Sequence, residues 1–227
     1  MAGGESFRNQ LWEANRDLWG EIGSMPFVRE VGAGTLDERS FAFFIAEDLL
    51  YLDEFARVLA TGATWATTPE TRQMFLEHAA TVYVVEQTLH SSLAPSLALD
   101  VEAIRERDPK PVTAAYTNHL HRAASTGPLA GLVAAVLPCY WVYNRVGEQL
   151  AASPPDHEIY RTWIASYASP EFGESVEAQL SLIDELGAAA DEELRERLHR
   201  WFRQSLRYEW MFWDQAYRKA DWPVGEE

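Results

Sequence analysis

The chain has 227 residues, 47% of them hydrophobic and 24% charged, so it carries enough apolar material for a core and is not expected to be disordered. Its 35 acidic against 19 basic residues leave a net charge of −16, which argues against binding to phosphate backbones or anionic membrane surfaces. A single cysteine, Cys139, excludes an internal disulfide and a cysteine-based zinc site.

Helical spacing dominates from the start. Phe7, Leu11, Leu18 and Ile22 recur at threes and fours and predict one amphipathic first helix. The first residues show no basic stretch followed by an apolar one, so no signal peptide is expected, and the cytoplasm is the default location. Thr35-Leu36-Asp37-Glu38 has the form of a capping box, predicting a long helix from there to about Leu59. Thr68-Pro69 predicts a capped helix with proline in its first turn, running to about Ala94.

The breaker Asp108-Pro109-Lys110-Pro111 precedes a helix over about 112–124, and Gly127-Pro128 opens another to about Ala151. Within it, Gly131 to Tyr143 is apolar on every side, as expected of a helix through the middle of a domain, and is too short to span a bilayer. After Ser153-Pro154-Pro155 a helix is expected over 157–167. A second restarts at Ser169-Pro170 and stops at Gly187, and a last, capped by Asp191, reaches about Tyr217. With no alternating strand pattern and only short connections, the expectation is one all-α domain over 1–227 with about eight helices.

Four places combine polar chemistry with apolar surroundings. Cys139 follows Pro138 inside the apolar helix, with Tyr143 one turn on; it is either a packed small hydrophobe or a nucleophile. Asp48 falls on or beside the apolar stripe set by Phe44, Leu52 and Phe55, with Tyr51 following; a carboxylate there is either ion-paired with an arginine or held for a ligand. Tyr208-Glu209-Trp210-Met211-Phe212-Trp213-Asp214 sets two acids among aromatics, and one of them has to face a polar interior while the other faces water. Glu86 and His90 share a helix face, as half of a metal site or a plain hydrogen-bonded pair; His119 and His121, two apart, do not chelate together. Phosphate-binding loops, the nucleophile elbow of serine hydrolases and the zinc-protease motif are all missing. A cysteine, buried acids and tyrosines on separate helices suit a small pocket for a flat, nitrogen-bearing ring.

These residues resemble the TenA, or thiaminase II, family. The matching stretches are Asp48-Leu-Leu-Tyr51-Leu-x-x-Phe55-Ala-Arg57, Glu86-x-x-Leu89-His90, Ala115-Tyr116-Thr117-x-His119-Leu120, Leu137-Pro138-Cys139-x-Trp141-x-Tyr143, Tyr160-x-x-Trp163-Ile164-x-x-Tyr167 and Tyr208-Glu209-x-x-Phe212-Trp213-Asp214-x-Ala216-Tyr217. The resemblance implies a haem-oxygenase-like multi-helix bundle assembled as a homotetramer. It implies hydrolysis of aminomethylpyrimidine to hydroxymethylpyrimidine and ammonia, or of thiamin to that pyrimidine and its thiazole, without metal or other cofactor. It assigns Cys139 as nucleophile and Glu209 as the proton-exchanging acid. Asp48 becomes the reader of the aminopyrimidine edge, and Tyr51, Tyr116, Tyr143 and Tyr167 the ring-binding tyrosines. Asn144-Arg145 departs from the family, whose members often carry an acidic residue there. Two rival readings are a metal-dependent oxidase of the same fold, which needs more carboxylate–histidine pairs, and a pyrimidine-binding protein without turnover.

Overall fold

A computed structural model describes residues 5–88 and 93–224. Among them there are twelve helices and no strand. In chain order these are α1 (Phe7–Glu13), α2 (Arg16–Ser24), α3 (Pro26–Ala33), α4 (Glu38–Trp65), α5 (Pro69–Thr88), α6 (Ala94–Ser96), α7 (Val101–Glu106), α8 (Pro111–Thr126), α9 (Leu129–Ala151), α10 (Glu158–Tyr167), α11 (Pro170–Ala189) and α12 (Glu192–Arg218).

The count exceeds the expected eight. The predicted first helix is two, parted at Asn15. Its buried side chain donates to the Leu11 carbonyl at 2.7 Å and accepts from Arg203 at 2.9 Å, so it competes with the helical ladder. Thr35 is not the cap of α4. Its amide bonds to Glu30 O at 2.8 Å and that of Gly34 to Val31 O at 3.1 Å, with Gly34 at φ +71°, a Schellman closure of α3. Asp37 caps α4 instead, accepting from the Arg39 amide. The helices α3, α6 and α7 were not foreseen; Asp100 caps α7 through the Ala103 amide at 3.1 Å.

Other boundaries shift outward where packing rewards them. α4 runs past Leu59 because Gly62 lets Phe75 of α5 approach so closely that an added Cβ would lie 2.7 Å from its ring. α11 continues through Gly187, which admits Phe7 in the same way. The expected caps at Thr68 and Asp191 are both present, and Ser169 caps α11 as well; each accepts from a backbone amide in the first turn.

α9 is the central element. Leu129–Ala151 is long and apolar enough to cross a membrane, yet 78% of its apolar window is buried inside the protein, as a core helix requires. It packs against α4, α8, α10, α11 and α12. Cys139 sits halfway along it, so the residues of α4, α8, α10 and α12 converge on the middle of the apolar core.

Candidate active site

Asp48 and its neighbour Glu47 are both buried on α4 and differ in what they meet. Glu47 pairs with Arg107 at 2.6 Å and accepts from the Lys110 amide at 2.9 Å and the Thr113 hydroxyl at 2.5 Å, a structural knot that ties α4 to the start of α8. Asp48 is 3% exposed, and its Oδ2 is buried with no hydrogen-bond partner among the described residues. The arginine-paired alternative for Asp48 is therefore fulfilled by Glu47. Burial pushes the Asp48 carboxyl up to about 7. A buried polar atom left unsatisfied in an otherwise well-paired interior calls for a specific reason, and a ligand is one.

Asp48 lines a cavity whose wall includes Cys139, Tyr143, Tyr167, Phe55 and Tyr140. Cys139 is half-buried, a free thiol that lines this cavity. Desolvation, then the charge of Glu209, raise the thiol pKa well above its ordinary value, and the adjacent Tyr51 hydroxyl opposes them by favouring the thiolate. Tyr143 and Tyr167 form an aromatic corner, their ring centres 4.8 Å apart, backed by Trp163 and Trp213. Asn144 donates to the Tyr167 carbonyl at 3.2 Å and so anchors a wall residue; Arg145 lies over the Trp12 ring at 5.4 Å.

Glu209, Tyr116 and Tyr51 lie behind that wall. Glu209 is 2% exposed and accepts a 2.5 Å hydrogen bond from the Tyr116 hydroxyl. Burial lifts its carboxyl to about 8; the Tyr116 bond works against that shift and the charge of Asp48 adds to it. Tyr116 and Tyr51 are neighbours with ring centres 5.0 Å apart, and the Tyr51 hydroxyl lies beside the thiol without a well-aligned partner. A line of polar groups thus runs from Cys139 through Tyr51 and Tyr116 to Glu209. Of the two acids in the aromatic run, Glu209 faces inward, while Asp214 is paired with Arg218 at 3.0 Å near the surface.

All seven residues singled out from the sequence therefore converge, four on the cavity wall and three behind it. Sequence reasoning did not find His78 and Phe172, which line the cavity, or Gln179, which meets His78; nothing in their neighbourhood marks them, since α5 and α11 meet α4 and α9 only in the folded chain. His119 meets Ser205 and His121 meets Glu54, so the two histidines serve different contacts. Among the described residues no group of three or more His, Cys, Asp or Glu side chains is placed to hold a metal ion. The Glu86–His90 pair lies outside the residues whose side chains are described.

Comparison with known proteins points the same way. The model of the TENA/THI-4/PQQC family matches residues 12–219. The chain is 36% identical over 216 residues to the aminopyrimidine aminohydrolase of Bacillus subtilis, covering 95% of this chain and 92% of that one. Its fold matches that of the TenA homologue protein from P. horikoshii OT3 with a TM-score of 0.87, at 27% identity, over 95% of this chain and 100% of the other. A protein from Shewanella denitrificans described as having a haem oxygenase-like fold superposes with a TM-score of 0.74 at 17% identity, over 93% of this chain and 92% of that one, and bears on the fold alone.

Proposed function

The chain belongs to the TENA/THI-4/PQQC family, and from that premise we propose that it is an aminopyrimidine aminohydrolase of thiamin salvage, working through Cys139 as a single helical domain. The observation that carries the reading is the pairing, on one aromatic cavity, of a free thiol with a buried carboxyl that has an unsatisfied oxygen.

The geometry suits the chemistry. An aminopyrimidine presents an amino group beside a ring nitrogen, and the Asp48 carboxyl reads that edge with two hydrogen bonds while sharing one proton with the ring. With its pKa near neutrality, Asp48 holds that proton where the reaction needs it. Proton sharing makes the ring electrophilic. The Cys139 thiol gives its proton, by way of Tyr51 and Tyr116, to Glu209, and its sulfur adds to a ring carbon.

The electron pair gained by the ring expels the amine from the methylene carbon, and the amine leaves with a proton that Glu209 returns. Water then adds to the exocyclic methylene and gives a proton to Glu209, the carbon–sulfur bond breaks as that proton returns to the sulfur, and hydroxymethylpyrimidine departs. The net change is one water consumed and one ammonia released. Thiamin enters the same sequence with its thiazole as leaving group. Tyr143 and Tyr167 supply the faces on which the ring rests.

A cytoplasmic setting, where thiols stay reduced, and assembly as a homotetramer complete the reading; the exposed apolar side chains of Leu76, Tyr83 and Val84 on α5 support the latter. Incubating the protein with aminomethylpyrimidine and assaying ammonia and hydroxymethylpyrimidine tests the activity. A crystal soaked with hydroxymethylpyrimidine tests the pose, which requires the ring between Asp48 and Cys139. A ring bound elsewhere, or no product, overturns it.

A further inference from the structure

Three polar contacts join α8 to α12 within otherwise apolar packing. Gln215 donates to the Thr113 hydroxyl at 3.2 Å, Tyr116 donates to Glu209, and His119 Nε2 lies 2.9 Å from the Ser205 hydroxyl. On α8 these residues are three apart and share one face, while their partners on α12 descend from 215 through 209 to 205, so the two helices run in opposite directions. The Tyr116–Glu209 bond therefore has one polar rung on each side. Apolar packing is non-directional and lets helices slide past each other, whereas a hydrogen bond fixes their register. Thr113 also bonds Glu47, so its rung belongs to the knot that ties α8 to α4. The rung between His119 and the wholly buried Ser205 has no such second duty.

His119 reaches the pair through its ring as well. Its centre lies 5.4 Å from that of Tyr208, and Tyr208 is stacked on Tyr116 at 5.2 Å; on the other side the His119 ring meets Trp201 at 4.9 Å. His119 is not among the residues that line the cavity of Asp48 and Cys139. Burial, and then the charge of Arg122, hold its pKa down to about 4, so the ring is neutral near pH 7 and its removal takes no charge from the neighbourhood of Glu209. The stretch Tyr116-Thr117-x-His119 is one of those that carry the family resemblance, and the proposed reaction uses only its tyrosine.

We infer that His119 is a positioning residue for Glu209: through Ser205 and Tyr208 it holds the Glu209 carboxyl and the Tyr116 hydroxyl in register for proton exchange. This inference rests on the reading above, in which Glu209 moves protons for the reaction. The groups coupled electrostatically to Glu209 are Tyr116 on α8, Asp48 and Tyr51 on α4, Cys139 and Tyr143 on α9 and Tyr167 on α10, and a change at position 119 leaves all six in the chain.

The test measures kcat, KM for aminomethylpyrimidine and the pH–rate profile in His119→Ala, His119→Gln and Ser205→Ala. It also follows the titration of the Glu209 carboxyl by infrared difference spectroscopy against Glu209→Gln. His119→Ala and Ser205→Ala are each expected to lose about three- to tenfold in kcat, the size of one hydrogen bond, with KM and hydroxymethylpyrimidine affinity unchanged. In both, the Glu209 carboxyl and its limb of the profile move to higher pH, because a loosened Tyr116 bond restrains it less. His119→Gln, whose amide can still bond Ser205, restores most of the rate. In a Tyr116→Phe background His119→Ala costs nothing more, since the bond it positions is already gone. Wild-type kcat with an unshifted carboxyl in both His119→Ala and Ser205→Ala overturns the inference, even where the melting temperature falls. An equal loss in the Tyr116→Phe background, or no rescue by glutamine, does the same. A wild type inactive on aminomethylpyrimidine overturns the reaction and not the placement, which the carboxyl titration decides without turnover. Should His119→Ala fail to fold, Ser205→Ala, which removes a single oxygen, decides by the same readouts.

Discussion

Tyr116 donates its hydroxyl proton to Glu209 Oε1 across 2.5 Å, with both side chains closed off from solvent on facing helices, α8 and α12. This bond restrains the upward shift that burial imposes on Glu209 and so keeps its carboxyl titrating near neutrality, at about 8. Tyr116→Phe removes the restraint and, with it, the last link of the proton path from Cys139 to Glu209. The limb of the pH–rate profile that belongs to Glu209 is expected to move to higher pH, and kcat to fall by about tenfold, as for one lost hydrogen bond to a charged group. A profile superimposable on the wild type shows that Glu209 takes no part in the reaction.

Asp48 and Glu209 both have raised pKa values, about 7 and about 8; burial raises each, and the charge of Asp48 adds to the shift of Glu209. The proposed reaction needs one proton held and one released by this pair. The profile of kcat/KM is expected to be bell-shaped, with limbs near 7 and 8 that belong to the coupled pair. Glu209→Gln still hydrogen-bonds but carries no proton, so it cuts turnover and flattens one limb. Two unchanged limbs in that variant remove Glu209 from the mechanism.

The same shifts make stability depend on pH. Between about 4 and 8 the folded chain keeps protons on Asp48 and Glu209 that the unfolded chain has already lost. The contribution of these two groups is therefore fully present below about 4 and declines as pH rises through that window. Asp48→Asn removes one of the two terms, and its melting temperature is expected to vary less steeply with pH and to equal or exceed that of the wild type at pH 8. Hydroxymethylpyrimidine binding weakens by about tenfold or more, because an amide cannot share a proton with the ring and loses the charge-assisted hydrogen bond. A destabilised variant with unchanged binding makes Asp48 a structural residue.

Cys139→Ser keeps the shape of the cavity wall and loses the nucleophile. A fall in kcat of at least about a hundredfold is expected, which corresponds to about 2.7 kcal/mol of barrier, with hydroxymethylpyrimidine affinity little changed. Turnover near the wild-type rate in the serine variant rules out the covalent step.

Gly147 brings α9 against the end of α10: a Cβ there would lie 2.8 Å from the carbonyl carbon of Tyr167. Backbone cannot yield as a side chain does. Gly147→Ala is expected to cost about 1–3 kcal/mol through overpacking despite alanine's better helix propensity, and to displace Tyr167 from the cavity wall. Thermal melting together with hydroxymethylpyrimidine titration checks both effects; a more stable variant with full affinity shows that the contact relaxes freely.

Much of this was legible in the residues themselves. The 3.6-residue periodicity, the Thr68, Ser169 and Asp191 caps and the all-round apolar run before Tyr143 each reflect interactions within a turn or two, and each element appears where local chemistry puts it. Asp48, Cys139 and Glu209 were visible because a charged or reactive group on an apolar face conflicts with its surroundings, and such a conflict is written in the local sequence. Local rules failed where a distant partner decides. Asn15 breaks the first helix with help from Arg203, and α4 and α11 are prolonged by the close approach of Phe75 and Phe7 to glycines. Only the tertiary structure decided which acid on α4 is structural and which is left unsatisfied, since Glu47 and Asp48 differ by what α7 and α8 bring to them. It likewise assembled His78, Tyr140 and Gln179 from three helices, 101 residues apart at the extremes, because long-range packing sets their contacts and no local pattern encodes them.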